Sequence, residues 1–188
     1  RQLLLERGEL FPQLLELVED GWDLIAPVPS CVLMFKQELP LMFPHDAAVA
    51  RVKAAFFDPF EYLLERHRYG LLRLDFKQSH SRVLYHAACH QRVQNIGPKT
   101  KEVLALVPGT EVEVIERCSG HDGTYAVKTE FHPSAMKIVQ PVVGRIRQAV
   151  ADHYGSDCAM AGHHIGHALA DGRPPEHPMT LLRLAYGL

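Results

Sequence analysis

Four cysteines, at 31, 89, 118 and 158, stand far apart in the chain, and no two of them form a Cys-x-x-Cys pair. Histidines gather near them: His86 and His90 flank Cys89, and His121 follows Cys118 in the run Cys118-Ser119-Gly120-His121-Asp122-Gly123. Thiolates ligate zinc and iron–sulfur clusters, and a neighbouring imidazole can be a ligand, a hydrogen-bond donor to sulfur or a proton carrier. Glycines on both sides of His121-Asp122 let the backbone turn tightly and let a bulky group come close. The simplest chemistry for Cys31, Cys89, Cys118 and Cys158 is therefore a shared inorganic site. A cluster held by four thiolates is net negative, so Arg92, Arg117 and Lys128, close in sequence to the thiols, are candidate cations for stabilising it. His86, His90 and His121 are candidates first for bonds to sulfur, then for ligation.

Other readings of the same residues stay open. A free cysteine is often a small buried hydrophobe. Cys89 with His90, or Cys118 with His121, could form a nucleophile and base. Four thiolates, or three with one imidazole, would equally suit a structural zinc that holds a partner subunit. A disulfide framework is the weaker reading, because nothing in the sequence suggests secretion.

The elements that must position these thiols alternate between strand and helix. Residues 3–18 carry an amphipathic helical pattern interrupted near Gly8 and Pro12. Trp22–Val28 reads as a buried strand, Ser30 as a helix cap and Cys31 as the opening of the helix that follows. Residues 46–69 read as helix in two pieces split at Asp58-Pro59. Arg82–Tyr85 and Glu111–Ile115 are strands running into Cys89 and Cys118. Residues 98–106 are helical, and a long helical pattern covers 127–150, where Pro133 and Pro141 are expected to kink or divide it. Tyr154–Cys158 repeats the pattern of strand end, capping residue and cysteine before a helix over 159–169, and Leu181–Tyr186 closes the chain as a short helix. Alternation of this kind predicts an α/β fold: a mainly parallel sheet with helices on both faces, its cysteine-bearing loops converging on one rim.

Composition bounds the rest. At 188 residues, 47% hydrophobic and 22% charged, the chain can bury a real core. A net charge of −2 offers no electrostatic reason for a nucleic-acid partner. No apolar run reaches the roughly 18–20 residues that span a bilayer. The chain starts at Arg1 inside a helical pattern without Met, which reads as a piece of something longer.

Five separated segments occur in one order: Pro29–Lys36 (PSCVLMFK), Tyr85–Arg92 (YHAACHQR), Val107–Thr110 (VPGT), Ile115–Tyr125 (IERCSGHDGTY) and Ser156–Gly162 (SDCAMAG). Together with the ending His177–Gly187 (HPMTLLRLAYG), they resemble the CCG domains of the heterodisulfide-reductase-related iron–sulfur proteins, nearest to the family of third subunits of anaerobic glycerol-3-phosphate dehydrogenases. The resemblance implies an electron-transfer subunit that passes electrons from a flavin dehydrogenase toward membrane quinone. It implies an amino-terminal ferredoxin-like part that precedes this piece. Residues 1–70 would then be the end of a first CCG domain with a helical connection, and 71–188 the second. Cys89, Cys118 and Cys158 fall on the second domain's opening, central and closing motifs, and Cys31 on the first. The sequence departs from the family pattern where Ser119 follows Cys118 and where Ala161 stands in place of a closing cysteine. Four thiolates would suit one [4Fe–4S] cluster, with zinc as the alternative. The implied location is cytoplasmic, with any membrane contact peripheral and on the inner face.

Overall fold

The computed structural model describes residues 10–188; the helical pattern read around Leu3 and Leu4 lies outside them. The first elements are α1 (Leu10–Glu19), β1 (Leu24–Ile25), α2 (Pro29–Leu33), a π-helical turn (Met34–Glu38), α3 (Leu39–Met42), α4 (Ala47–Ala55) and β2 (Phe56–Phe57). β1 and β2 pair in parallel, Leu24 opposite Phe56. Leu24, Val32, Val52 and Phe56 form a small core that Phe11, Leu14, Leu15 and Val18 of α1 cover. Phe35 stacks on Phe56 with ring centres 4.5 Å apart.

The rest of the chain builds a larger sheet. It runs through α5 (Pro59–Arg68), β3 (Arg82–His86), α6 (Cys89–Arg92), α7 (Lys99–Leu104), β4 (Glu111–Ile115), a 3-10 turn (Tyr125–Val127), α8 (His132–Ala149), β5 (His153–Ser156), α9 (Ala159–Leu169) and α10 (Pro178–Ala185). The strands are all parallel in the order β4-β3-β5. Successive side chains of a strand point to opposite faces, and β3 accordingly feeds two cores. Val83 and Tyr85 pack with Phe60 and Leu64 of α5, Val103 and Leu104 of α7, and Leu181 and Leu182 of α10. Leu84 packs on the other face with Val139, Val142 and Ile146 of α8 and Ile165 and Leu169 of α9. The fold is thus α/β, with parallel sheets flanked by helices, as the alternation predicts.

Several local expectations are corrected. Among the described residues the parallel strands fall into two sheets, of two and three strands. The strand expected over Trp22–Val28 is confined to Leu24–Ile25, and Phe56–Phe57, read as helix, is its partner strand. Asp58 begins α5 with a capping box: its carboxylate accepts from the Phe60 and Glu61 amides while the Glu61 side chain accepts from the Asp58 amide. α8 begins at His132 rather than near Val127. Pro133 occupies its first turn, where no amide partner is needed, and Pro141 sits within a continuous helix. α10 begins at Pro178, earlier than Leu181, because the His177 ring accepts from the Met179 amide as its cap, 3.2 Å away.

The outer side of β5 is closed by a backbone bond from the Glu176 amide to the Tyr154 carbonyl, 2.9 Å. A side chain at Gly155 would drive into the Glu176 carbonyl. Gly155→Ala is therefore expected to lower stability by about 1–3 kcal/mol through overpacking, read as the shift of the urea midpoint. An unchanged midpoint would show that this closure can give way.

Candidate metal and redox site

Register decides where the thiols fall. His86, the last residue of β3, sits opposite Ile115, the last of β4, and opposite Ser156, the last of β5. Three parallel strands therefore end abreast, and Cys89, Cys118 and Cys158 follow three, three and two residues later. Ligand sites of open parallel sheets lie at this carboxyl edge.

Each thiol has its own local support. Cys89 opens α6. Cys118 lies in a tight turn, where the Gly120 amide points at its sulfur, 3.4 Å away. Gly120 has φ +74°, and a side chain there would strike the Ala135 carbonyl of α8, so only glycine suits the turn. Cys158 stands at the cap position of α9 without a capping bond from its side chain, and its amide donates to Ser156 Oγ at 3.3 Å. Cys31 is the third residue of α2, not the first. Val28 stands at the cap position, and Ser30 makes no capping bond. The turn that carries Cys31 is fastened to that of Cys89: Gln94 Nε2 donates to the Pro29 carbonyl (3.2 Å) and to the His90 carbonyl (3.1 Å), and Gln37 Nε2 donates to the Val93 carbonyl (3.2 Å).

These sulfurs are not core hydrophobes. Cys31, Cys89 and Cys118 are exposed, and Cys158 is half-buried. Partial burial pushes the Cys89 thiol up. Cys118 raises it further, Arg92 opposes the rise, and Asp122 and Cys158 add to it. The charges of Cys118 and Cys158 thus reach the Cys89 thiol. Among the described residues, no three His, Cys, Asp or Glu side chains form a ready-made group for a metal ion.

The remaining sequence candidates separate. Arg92, on α6, faces the Cys89 thiol closely enough to favour its anion. His86 is 2% exposed, with Nδ1 3.0 Å from Ser156 Oγ and Nε2 2.8 Å from the Arg117 carbonyl. Burial holds its imidazole below the ordinary histidine range. His90 is exposed and joins the structure through its carbonyl. His121 is half-buried, its amide donating to Ser119 Oγ at 3.4 Å, and its ring lies near His164. Arg117 and Lys128 are exposed, and the Lys128 carbonyl receives the Phe131 and His132 amides.

A buried polar group beneath the rim is not foreseen from the sequence. Asp157, expected as a cap, turns inward and is 4% exposed. Its carboxyl meets the Tyr85 hydroxyl and lies 3.2 Å from Thr100 Oγ1, which accepts from Gln91 Nε2 at 3.1 Å. The Tyr85 hydroxyl also meets Gln91 Oε1. One phenolic proton cannot serve both acceptors, so a proton on Asp157 completes the set. Burial, above all, pushes Asp157 up to about 7, with Asp58 adding to the rise and the Tyr85 bond opposing it. The available signal is spacing: Thr100 shares a helix face with Val103 and Leu104, three and four residues on.

Asp157 gives a signed pH expectation for the metal-free protein. An unfolded aspartate ionises near 4, whereas the folded one keeps its proton to about 7, so this group's stabilisation is full at low pH and is lost as pH rises through that window. Asp157→Asn reproduces the protonated bonding and does not titrate. Its stability relative to the parent, from urea unfolding, should rise by about 2–3 kcal/mol between pH 5 and pH 8. A flat difference would mean that Asp157 titrates normally.

No protein-family model matches the chain. It is similar to the third, or C, subunit of the anaerobic glycerol-3-phosphate dehydrogenase of Escherichia coli K12, 33% identical over 105 residues, and equally to that of E. coli O157:H7. The match covers 55% of this chain and 26% of those proteins, and it relates the chain to that subunit. The chain spans about a quarter of the length of the curated relatives it matches.

Proposed function

We propose that this chain is a piece of an electron-transfer subunit and that Cys89, Cys118 and Cys158, with Cys31, hold an iron–sulfur cluster of the [4Fe–4S] kind. The observation that carries the reading is the alignment of three strand ends, each followed within three residues by a cysteine that is exposed (Cys89, Cys118) or half-buried (Cys158). The donor chemistry fits such a group. Thiols presented at the ends of neighbouring strands, with the Cys89 thiol raised in part by Cys118 and Cys158, would be relieved by binding cationic iron, which takes the deprotonated form. The cluster would supply one-electron exchange when bound. The chain's own part is to hold the thiols, to set Arg92 against the anionic sulfurs and to direct the Gly120 amide at Cys118.

The similarity to one subunit of a dehydrogenase supports a dehydrogenase partner; in our wider proposal that partner is a flavin dehydrogenase acting as electron donor, the acceptor is a membrane quinone and a ferredoxin-like part lies elsewhere in the protein. In this reading residues 1–70 end a first CCG-type domain, and 71–188 are a second. Among the described residues no helix is long and apolar enough to cross a membrane, so the proposed contact with the membrane is peripheral. His90, His121, Arg117 and Lys128 are assigned to the cluster's surroundings.

The nucleophile reading has less support. A catalytic thiol needs its pKa lowered by a base, whereas that of Cys89 is raised. Structural zinc uses the same donors, so metal analysis separates it from the cluster. In anaerobically reconstituted full chain, Cys118→Ala and Cys158→Ala should each abolish the bound iron and acid-labile sulfide. Zinc without sulfide in the parent, or iron retained by either variant, would overturn the shared cluster. Cys31→Ala decides whether the fourth thiolate comes from α2, and full retention of iron there would remove Cys31 from the site.

A further inference from the structure

We infer that His86 is a positioning residue that clasps the Cys118 and Cys158 loops together, rather than a ligand or a proton carrier. The inference rests on the proposed cluster site and names what shapes it. A carbonyl can only accept, so the bond to Arg117 requires the hydrogen of His86 to reside on Nε2. Nδ1 is then an acceptor and must receive the Ser156 hydroxyl hydrogen. Ser156 Oγ is left to accept the Cys158 amide. The bonds run in one direction: Cys158 amide to Ser156, Ser156 to His86, His86 to the Arg117 carbonyl. Each end abuts a proposed ligand, since Arg117 precedes Cys118 and the Cys158 amide belongs to the ligand itself.

Placement makes the clasp effective. His86 ends the central strand, opposite the last residues of both outer strands. Its ring is buried with both nitrogens engaged inside the protein, so neither is free for a metal. It is the one residue among those described that hydrogen-bonds by its ring to both outer loops. His86 stands two hydrogen bonds from the Cys158 amide and one from the residue that precedes Cys118, and outer partners that orient ligands typically change metal affinity about 10–100-fold when lost.

The test divides the clasp into its halves. Glutamine places an amide N–H near the position of Nε2, so His86→Gln keeps the Arg117 bond and loses that to Ser156. Asparagine places its amide near Nδ1, so His86→Asn does the reverse. Amide hydrogen exchange of the metal-free full chain reads loop order without any cluster. Exchange at Cys158 should quicken about tenfold or more in His86→Gln and Ser156→Ala, and exchange across residues 117–120 in His86→Asn. In reconstituted protein all three should release iron to a chelator faster than the parent and shift the cluster's reduction potential. Exchange at the parent rate in both loops of the folded variants would overturn the clasp. So would a change of the iron spectrum in His86→Gln and His86→Asn that marks the loss of a nitrogen ligand. A parent chain that binds no cluster would defeat the proposed function alone, because the exchange measurement would still decide the clasp.

Discussion

A central parallel strand buried on both faces governs this structure. β3 has α5, α7 and α10 against one side and α8 and α9 against the other, so Val83–His86 are buried and only Arg82 reaches solvent. Shifting such a strand by one residue would exchange its two sets of core side chains, Val83 and Tyr85 for Leu84, which fixes the register firmly. Fixed register is what makes the three strand ends coincide. The thiols share a rim because the two cores leave β3 a single alignment with its neighbours.

That burial also explains the polar chemistry beneath the rim. Tyr85 and His86 are successive residues of one strand and carry polar atoms into opposite sides of the sheet. The hydroxyl of Tyr85 finds Asp157, and the ring of His86 finds Ser156. Both partners precede Cys158. A buried polar group left unpaired costs about 1–3 kcal/mol, so each bond resists displacement of the turn that presents the Cys158 thiol. The same burial raises the cost of ionising Asp157 and of protonating His86, which favours the neutral form of His86 and, up to about pH 7, that of Asp157.

Most of the larger sheet is legible in the sequence. Arg82–Tyr85 and Glu111–Ile115 are short apolar, β-branched runs bounded by polar residues, and they match β3 and β4 to within one residue. The helix expected over 159–169 matches α9. Two-residue strands have no period to detect, so Phe56–Phe57 is absorbed into the surrounding helical pattern. The residue types at the site are visible, and so is their position at element junctions. The bonding of Asp157 and His86 is not, because it joins residues about 70 positions apart whose proximity comes only from the strand order. Asp157 beside Cys158 has the local signature of a cap, and nothing in its neighbours indicates that its carboxyl turns inward.

Among the described residues no strand pairs with the outer side of β4, which carries Glu111 and Glu113 and is followed by Glu116. Glu113 is held between Arg82 and Arg145, at 3.0 and 2.9 Å. A stray extended peptide that tried to zip onto this border would have to strip water from several carboxylates and break into those pairs. Charge on the border strand itself therefore disfavours edge-to-edge pairing with another chain.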